Sequence, residues 1–571
     1  MSADTALPDP RQPPAPAAAD PARHLTLGAD SLTSGRVARF ARAPEEWSIG
    51  LDARAAPRIE ASREFKDALV ATGAPLYGVT TGFGASSDQH VGVGQAAELQ
   101  RNLVLYHLNG TGPTAGPDVV RATLLIRANC LARGYSGVRR TVVDLLLGCL
   151  RHDILPLVPE RGSVGASGDL VPLSYLAHAL TGAGEVLARG VRMPAREALR
   201  RHGLTALVPE SKEILALING TSFMAGFAVV ALWDATRIAR VADLCAAMCS
   251  EALHGNQGHF DPALHRHKPH PGQVRSASRI GAWLHGSGLS RPRGGAPPAA
   301  GPRIGDHAHR RLSRPVQDRY SLRCAPHVVG VLEDTLDWAG RWLDVEINST
   351  NDNPVFDPVA PDALNGGHFY GGHVAHAMDS LKAAVASVGD LLDRQLSLIV
   401  DEKFSNGLPA NLVPPPGSAQ ANGNRAGLHH GFKGMQLACA ALTAEALKLT
   451  MPASAFSRST EAHNQDKVSM GTIAARDARD AVELVREAAA IHVIALCQAL
   501  ELRDADGHRS SPAIRAARRL VRAHVPFVTN DRRMDRDIAA VVALIREGAL
   551  TDHAHAPGGS PPPPPAPDPH T

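Results

Sequence analysis

Residues 162–182 read GSVGASGDLVPLSYLAHALTG. Small residues run through Gly168, an acid follows at Asp169, and then comes an amphipathic segment. Smallness lets a backbone fold tightly onto itself, because glycine approaches a neighbouring carbonyl without a Cβ in the way. Three readings compete for the stretch. A phosphate cradle at a helix N-terminus is one, but the spacing Gly-x-x-Gly-x-x-Gly, with no Lys-Ser/Thr after it, meets neither nucleotide fingerprint. A tight loop before a helix is the second. The third is chemical: the Gly168 amide nitrogen attacks the Ala166 carbonyl carbon, and loss of water, including the Ser167 hydroxyl, leaves a methylidene-imidazolone electrophile made from the chain itself.

Outward from this run, the 571 residues suffice for one very large domain or several ordinary ones. A hydrophobic content of 44% with 20% charged residues suits a soluble globular protein. The 59 basic residues nearly balance 56 acidic ones, for a net charge of +3, which gives no case for a nucleic-acid or membrane partner. The seven cysteines are scattered, which points to a reducing compartment. Cys245 and Cys249 stand one helical turn apart without a nearby His or Cys cluster, so they read as buried thiols and no metal is expected. No signal peptide and no apolar run of about twenty residues is evident, so the cytoplasm is the expected location.

Residues 1–23 are rich in Pro and Ala and 546–571 are rich in Pro, so both ends are expected to be disordered tails. Segments 223–254, 326–346, 373–402, 428–450 and 472–503 carry apolar residues at three- and four-residue spacing, longer than the usual helix of about 11–12 residues. They predict a mainly α fold with a large bundle of long helices across 223–545, interrupted by a surface loop at 287–314. Residues 24–222, with more turns, predict an irregular N-terminal region that carries loops.

The opening run resembles the signature of the aromatic amino acid ammonia-lyases (histidine, phenylalanine and tyrosine ammonia-lyases and the related aminomutases). The resemblance extends from about residue 25 to 545, with further motifs in family order, and implies a fumarase/aspartase-like helical fold. It implies a 4-methylidene-imidazol-5-one formed from Ala166-Ser167-Gly168, without a metal, and a homotetramer whose sites are shared between subunits. YGVTTGFG at 77–84 places Tyr77 where the family has the base that takes the β-proton. Free tyrosine has a pKa of about 10, so such a base needs a positive field, which helix N-termini supply. LALINGTS at 215–222 places Asn219 beside the prosthetic ring and the substrate amine. VQDRYSLRCAPH at 316–327 places Gln317 and Tyr320 in the site lining and offers Arg323 as a fork for the carboxylate. EINSTNDNP at 346–354 supplies Asn353 near the ring, and GGHFYGGHV at 366–374 supplies Phe369 against the substrate side chain. His368 stands where the family more often has Asn. HHGFKG at 429–434 brings Lys433, where the preceding pair is more often Asp-Tyr in phenylalanine ammonia-lyases. EAHNQDKVSMG at 461–471 brings Glu461 and Gln465, which share a face if helical, to the amine side.

The family reads the substrate side chain with a pair of residues in the segment that LQRNLVLYHLNGTG at 99–112 resembles, and the resemblance puts that pair on His107-Leu108. An imidazole can hydrogen-bond a phenol hydroxyl and an apolar residue cannot, so His-Leu resembles the tyrosine ammonia-lyases. Histidine ammonia-lyases place a carboxylate where this chain has Gln465. The resemblance therefore implies elimination of ammonia from L-tyrosine to trans-4-coumarate, with L-phenylalanine as a lesser substrate. A histidine ammonia-lyase and a tyrosine or phenylalanine 2,3-aminomutase are the alternatives. A binding scaffold that has lost catalysis would predict loss of Tyr77, Arg323 or the Ala-Ser-Gly triplet, and all are present.

Overall fold

The apolar periodicity becomes helix wherever it was long. A computed structural model describes residues 23–29, 31–292, 304–311, 315–415, 427–504 and 509–552. It is 58% helix and 7% strand, which makes the fold mainly α. The five expected long segments become Ser222–Ala252, Ala325–Ile347, Gly372–Val400, Lys433–Lys448 and Gly471–Arg503. In Gly372–Val400 the residues Val374, Met378, Leu381, Val385, Val388, Leu392, Leu396 and Ile399 are buried, a stripe of three- and four-residue steps. Ser222–Ala252 is apolar enough by length and composition to cross a membrane, but 83% of its apolar window is buried, the signature of a core helix. The Lys433–Lys448 helix starts later than its apolar pattern because Gly431, at φ 52°, turns the chain just before it.

The chain divides into two compact units. The first holds the chain through Val229, with Leu343–Gly372 and Ser457–Thr472 returning to it. Among the described residues it contains all the short strands. His24–Leu27 pairs in parallel with Ser48–Leu51, and Thr111–Thr114 pairs antiparallel with Pro159–Arg161. Ile154–Pro156, Glu185–Ala188 and Val191–Pro194 form an antiparallel three-stranded sheet. Pro117–Ala132 is a core helix buried on nearly every side, Arg127 included. The second unit holds Val230–Trp342, His373–Phe456 and Ile473 onward, and is dominated by the long helices.

The terminal segments 1–22 and 553–571, and 293–303 and 312–314 of the expected surface loop, lie outside the described residues. One boundary differs from expectation. The C-terminal tail was expected from residue 546, but the chain stays helical through Asp535–Glu547 and Ala549–Asp552. Buried Leu550 anchors that last turn, and the Asp552 carboxylate pairs with Arg237 at 2.7 Å.

Candidate active site

Three residues of the opening run fold back on themselves. Ser167 and Gly168 have φ of 50° and 76°, the left-handed region. Gly168 forms a one-residue bridge with Gly220: the Asp169 N–H donates to the Gly220 carbonyl at 2.9 Å, and the Gly220 N–H donates to the Ser167 carbonyl at 3.2 Å. A Cβ at Gly168 would overlap the Gly220 carbonyl, so this position admits no side chain. The next residue, Asp169, is fully buried. Its carboxylate accepts the Ser163 hydroxyl at 2.9 Å, the Thr472 hydroxyl, and the Met224 N–H at 2.8 Å. Burial pushes its carboxyl up to about 6, against the pull of those three donors and of nearby Arg127. Thus the loop is pinned where the helices Leu170–Leu180, Ser222–Ala252 and Gly471–Arg503 begin.

Beside the loop lies a cavity of about 400 Å³, lined by Tyr77, Phe83, Tyr106, His107, Ser167, Asn219, Glu461 and Gln465, with Leu99, Leu103, Leu170 and Leu215 as its apolar wall. A cavity of this size with a few convergent polar groups suits a small molecule. The Gln465 amide donates to Ser167 Oγ at 3.4 Å, and its own oxygen accepts the Thr460 hydroxyl at 3.0 Å. Asn219 Nδ2 donates to the Ser167 carbonyl at 3.5 Å, while Asn219 Oδ1 is buried with no hydrogen-bond partner among the described residues. The Tyr77 phenol oxygen accepts the Gly84 N–H at 3.1 Å, a fixed donor that complements negative charge on that oxygen. Both Glu461 oxygens accept the Ala85 N–H, at 2.9 and 3.2 Å, which clasps the loop carrying Tyr77.

The His107 ring stands at the end of the Ala96–Leu105 helix, with Nδ1 at 2.8 Å from the Leu103 carbonyl. A carbonyl only accepts, so Nδ1 carries the proton and Nε2 is left as an acceptor. Burial lowers the imidazole below its usual range, which keeps it neutral. The Tyr106 ring packs against it at a tilt of 39°, with ring centroids 4.3 Å apart. Tyr106 is 54% exposed, and the desolvation of its phenol, with lesser help from Tyr77 and Glu461, pushes it up to about 12.

Other expected residues lie elsewhere. Leu108 faces a second cavity of about 620 Å³, with Tyr175, His178 and Leu187, because the backbone turns after Tyr106 and sends successive side chains apart. Asn353 Oδ1 accepts the Gly366 N–H at 2.8 Å. Phe369 is half-buried, and neither residue lines the 400 Å³ cavity. In the second unit Gln317, Tyr320 and Arg323 form a group of their own: Arg323 donates to the Gln317 amide oxygen, and its guanidinium lies 4.7 Å from the centroid of the Tyr320 ring. Lys433 is the exposed first residue of its helix. Glu461 and Gln465 do both line the cavity, yet not on a helix. Glu461, Ala462 and His463 have φ of 51°, 52° and 65°, a left-handed turn closed by a Thr460–Gln465 bridge.

Sequence reading missed the supports behind these residues. Arg127 is one; another is the fully buried pair of Lys212 and Asp352, 2.6 Å apart, whose lysine also reaches the Asn353 carbonyl at 3.3 Å. It also missed Tyr106, Leu99 and Leu103, for which a signal existed: they share the helical face that ends at His107.

A family model of the aromatic amino acid lyases matches residues 32–523. The tyrosine ammonia-lyase of Cupriavidus metallidurans is 41% identical over 494 residues, 86% of this chain and 90% of that protein. The histidine ammonia-lyase of Caldanaerobacter subterraneus is 36% identical over 530 residues, 93% of this chain and 98% of that protein. Among solved structures, the tyrosine aminomutase from Streptomyces globisporus superposes with a TM-score of 0.84 at 34% identity, covering 92% of this chain and 97% of that one.

Proposed function

The chain belongs to the aromatic amino acid lyase family and is a carbon–nitrogen lyase of the ammonia-lyase kind, and from that premise we propose that it eliminates ammonia from L-tyrosine to give trans-4-coumarate, with L-phenylalanine to cinnamate as a lesser activity. His107 carries the tyrosine reading. Its neutral ring lines the cavity with Nε2 free to accept, so a phenol O–H has a partner there. A phenyl side chain would leave that acceptor unpaired, which a partly enclosed site penalises.

The backbone at Ala166-Ser167-Gly168 fits closure to a 4-methylidene-imidazol-5-one: two residues at positive φ, no room for a side chain at Gly168, and the buried Asn219 amide beside the Ser167 carbonyl. That group supplies an electrophile for the substrate amine, which makes ammonia a better leaving group. The remaining work falls to side chains. Asn219 Oδ1 accepts from the amine, and Gln465 holds the Ser167 side of the site. Tyr77 takes the β-proton with the Gly84 N–H aimed at its oxygen. Arg323, braced by Gln317 and Tyr320, grips the carboxylate. Phe369, Asn353 and Lys433 lie outside the 400 Å³ cavity of one chain and would reach the substrate only from a neighbouring subunit, and Leu108, which faces the second cavity, takes no part in this reading.

We take the working form to be a homotetramer with shared sites. Gln317 and Tyr320 are exposed, and large apolar side chains, among them Val331, Val345, Leu437 and Leu447, face outward on the long helices. All seven cysteines are unpaired thiols, in keeping with a reducing cytoplasm.

Two other readings have support. Relatives named histidine ammonia-lyase favour an imidazole substrate. Against it, the group beside Ser167 is the Gln465 amide, and both Glu461 oxygens already hold the Ala85 N–H. The likeness to a tyrosine aminomutase favours return of ammonia to the β-carbon. Incubation with L-tyrosine, L-phenylalanine and L-histidine separately, with products resolved by chromatography, tests all three. The expected result is 4-coumarate from tyrosine at the highest kcat/KM. Urocanate as the main product would replace tyrosine by histidine, and β-tyrosine would make the enzyme a mutase.

A further inference from the structure

Gly220 is held between two partners. On one side is Gly168, through the two backbone hydrogen bonds of their bridge. On the other is Arg127: a Cβ at Gly220, whose φ is 147°, would overlap Arg127 Nη2 and stand 2.5 Å from the Asn351 carbonyl oxygen. Gly220 is therefore a spacer without a side chain, and force on one face is passed to the other.

Arg127 is fully buried on the Pro117–Ala132 helix. Its Nη1 donates to the carbonyls of Ala216 at 2.9 Å and Asn219 at 2.8 Å. Its Nη2 donates to the Asn351 carbonyl at 3.1 Å, and its Nε to the Ser222 hydroxyl at 3.0 Å. These four acceptors are neutral oxygens. A buried cation is costly, and neutral acceptors repay less of that cost than a carboxylate would. What the planar fork does supply is geometry: it fixes both ends of the Ala216–Ser222 segment and ties it to Asn351.

We infer that Arg127 is a positioning residue for self-processing of Ala166-Ser167-Gly168: by immobilising the Asn219-Gly220 turn, it gives the folded tripeptide a rigid backing against which the ring closes. The inference rests on the reading of that tripeptide as the precursor of the electrophile. In the closure a bond forms between Gly168 N and the Ala166 carbonyl carbon. The carbonyl oxygen leaves as water with the Gly168 and Ser167 amide protons. The Ser167 hydroxyl leaves as a second water with the Ser167 Cα proton. No oxidant is needed, and the chain ends two waters lighter. Ring closure depends steeply on the approach of the two atoms, so a loosened backing slows it.

The test is the intact mass of the purified full-length chain, native and with Arg127→Met, Arg127→Lys and Ser222→Ala. Native protein should be fully two waters lighter. In Arg127→Met the processed fraction should fall at least ~fivefold, with Arg127→Lys restoring part of it, while helix content and the melting transition persist. Should Arg127→Met fail to fold, Ser222→Ala, which removes only the Nε acceptor, should still slow processing ~twofold or more after refolding. Complete processing of folded Arg127→Met, or of Ser222→Ala at the native rate where Arg127→Met does not fold, overturns the role of Arg127. Native protein at its unmodified mass overturns the reading of the tripeptide itself.

Discussion

The Met224 backbone N–H donates to the Asp169 carboxylate at 2.8 Å, which ties the first turn of the Ser222–Ala252 helix to the residue that follows Gly168. The other carboxylate oxygen accepts from Ser163 and from Thr472, at the start of the Gly471–Arg503 helix. One side chain therefore joins the loop to two long helices. Helix N-termini and three donors favour its negative form. Burial outweighs them and raises the carboxyl from 3.8 to about 6.

That balance has a measurable sign. Between pH 3.8 and about 6 the native chain keeps a proton at Asp169 that the unfolded chain has released. The contribution of this group to stability is full below the unfolded value and is lost as pH rises through the native one. The shift corresponds to about 3 kcal/mol. Asp169→Asn keeps an acceptor for Met224 and a group the two hydroxyls can meet, without an ionisation. Urea denaturation from pH 4 to 7 should show the native protein losing up to that amount relative to the variant. A stability difference that stays flat across the range would mean Asp169 is ionised throughout.

His107→Phe removes the Nε2 acceptor from the cavity and keeps a ring of similar size. A single hydrogen bond to a neutral partner is worth about 1 kcal/mol, and an unpaired buried group costs more. The kcat/KM ratio of tyrosine over phenylalanine should therefore fall by ~10–100-fold. Because burial keeps the imidazole below its usual range, the native ratio should stay constant from pH 9 down to about 6.5, the unperturbed value. An unchanged ratio in the variant would remove the basis for the tyrosine reading.

Sequence pattern reached the long helices because their apolar steps are local: the expected 373–402 and 472–503 differ from Gly372–Val400 and Gly471–Arg503 by at most two residues at either end. It reached Tyr77, Asn219 and Ser167, which line the cavity, because each lies in a short run of its own. It could not reach Arg127, whose acceptors lie as far as 224 residues away, or the Asp169–Thr472 contact across 303 residues. Burial of Arg127 and of the Lys212–Asp352 pair runs against residue type, so composition points the wrong way for both. The 461–465 turn was hidden for another reason. No glycine marks the left-handed residues Glu461, Ala462 and His463, and helical spacing described the same residues equally well.

Glu461 holds the loop that carries Tyr77, the proposed base. Its carboxylate accepts the Ala85 N–H, and the neighbouring Gly84 N–H points at the Tyr77 oxygen. Glu461→Ala should free residues 82–95, seen as faster amide hydrogen exchange there, and lower kcat by ~tenfold through misplacement of Tyr77. Glu461→Gln, which keeps one acceptor oxygen, should fall between. Native exchange in that loop together with a lost kcat would move Glu461 from the loop to direct contact with the substrate.

Arg323 is placed from behind by a relay in the second unit. Gln395 Nε2 donates to the Ser321 carbonyl at 2.9 Å, inside the Tyr320–Arg323 turn. The Gln395 oxygen must then accept, so His492 Nε2, 3.2 Å away, carries the proton. His492 is fully buried and pushed down to about 3, which keeps it neutral at any working pH. Gln395→Leu strands the His492 donor and releases the Ser321 carbonyl, and should cost ~2–4 kcal/mol of stability. It should also raise KM by ~tenfold with a smaller change in kcat, because Arg323, the proposed fork for the carboxylate, is displaced while the reacting atoms are not. Adding His492→Phe removes the stranded donor, so the double variant should regain part of the stability. It should not regain KM, since Ser321 is still unheld. Recovery of both together would show that the relay acts on packing alone and leaves Arg323 where it was.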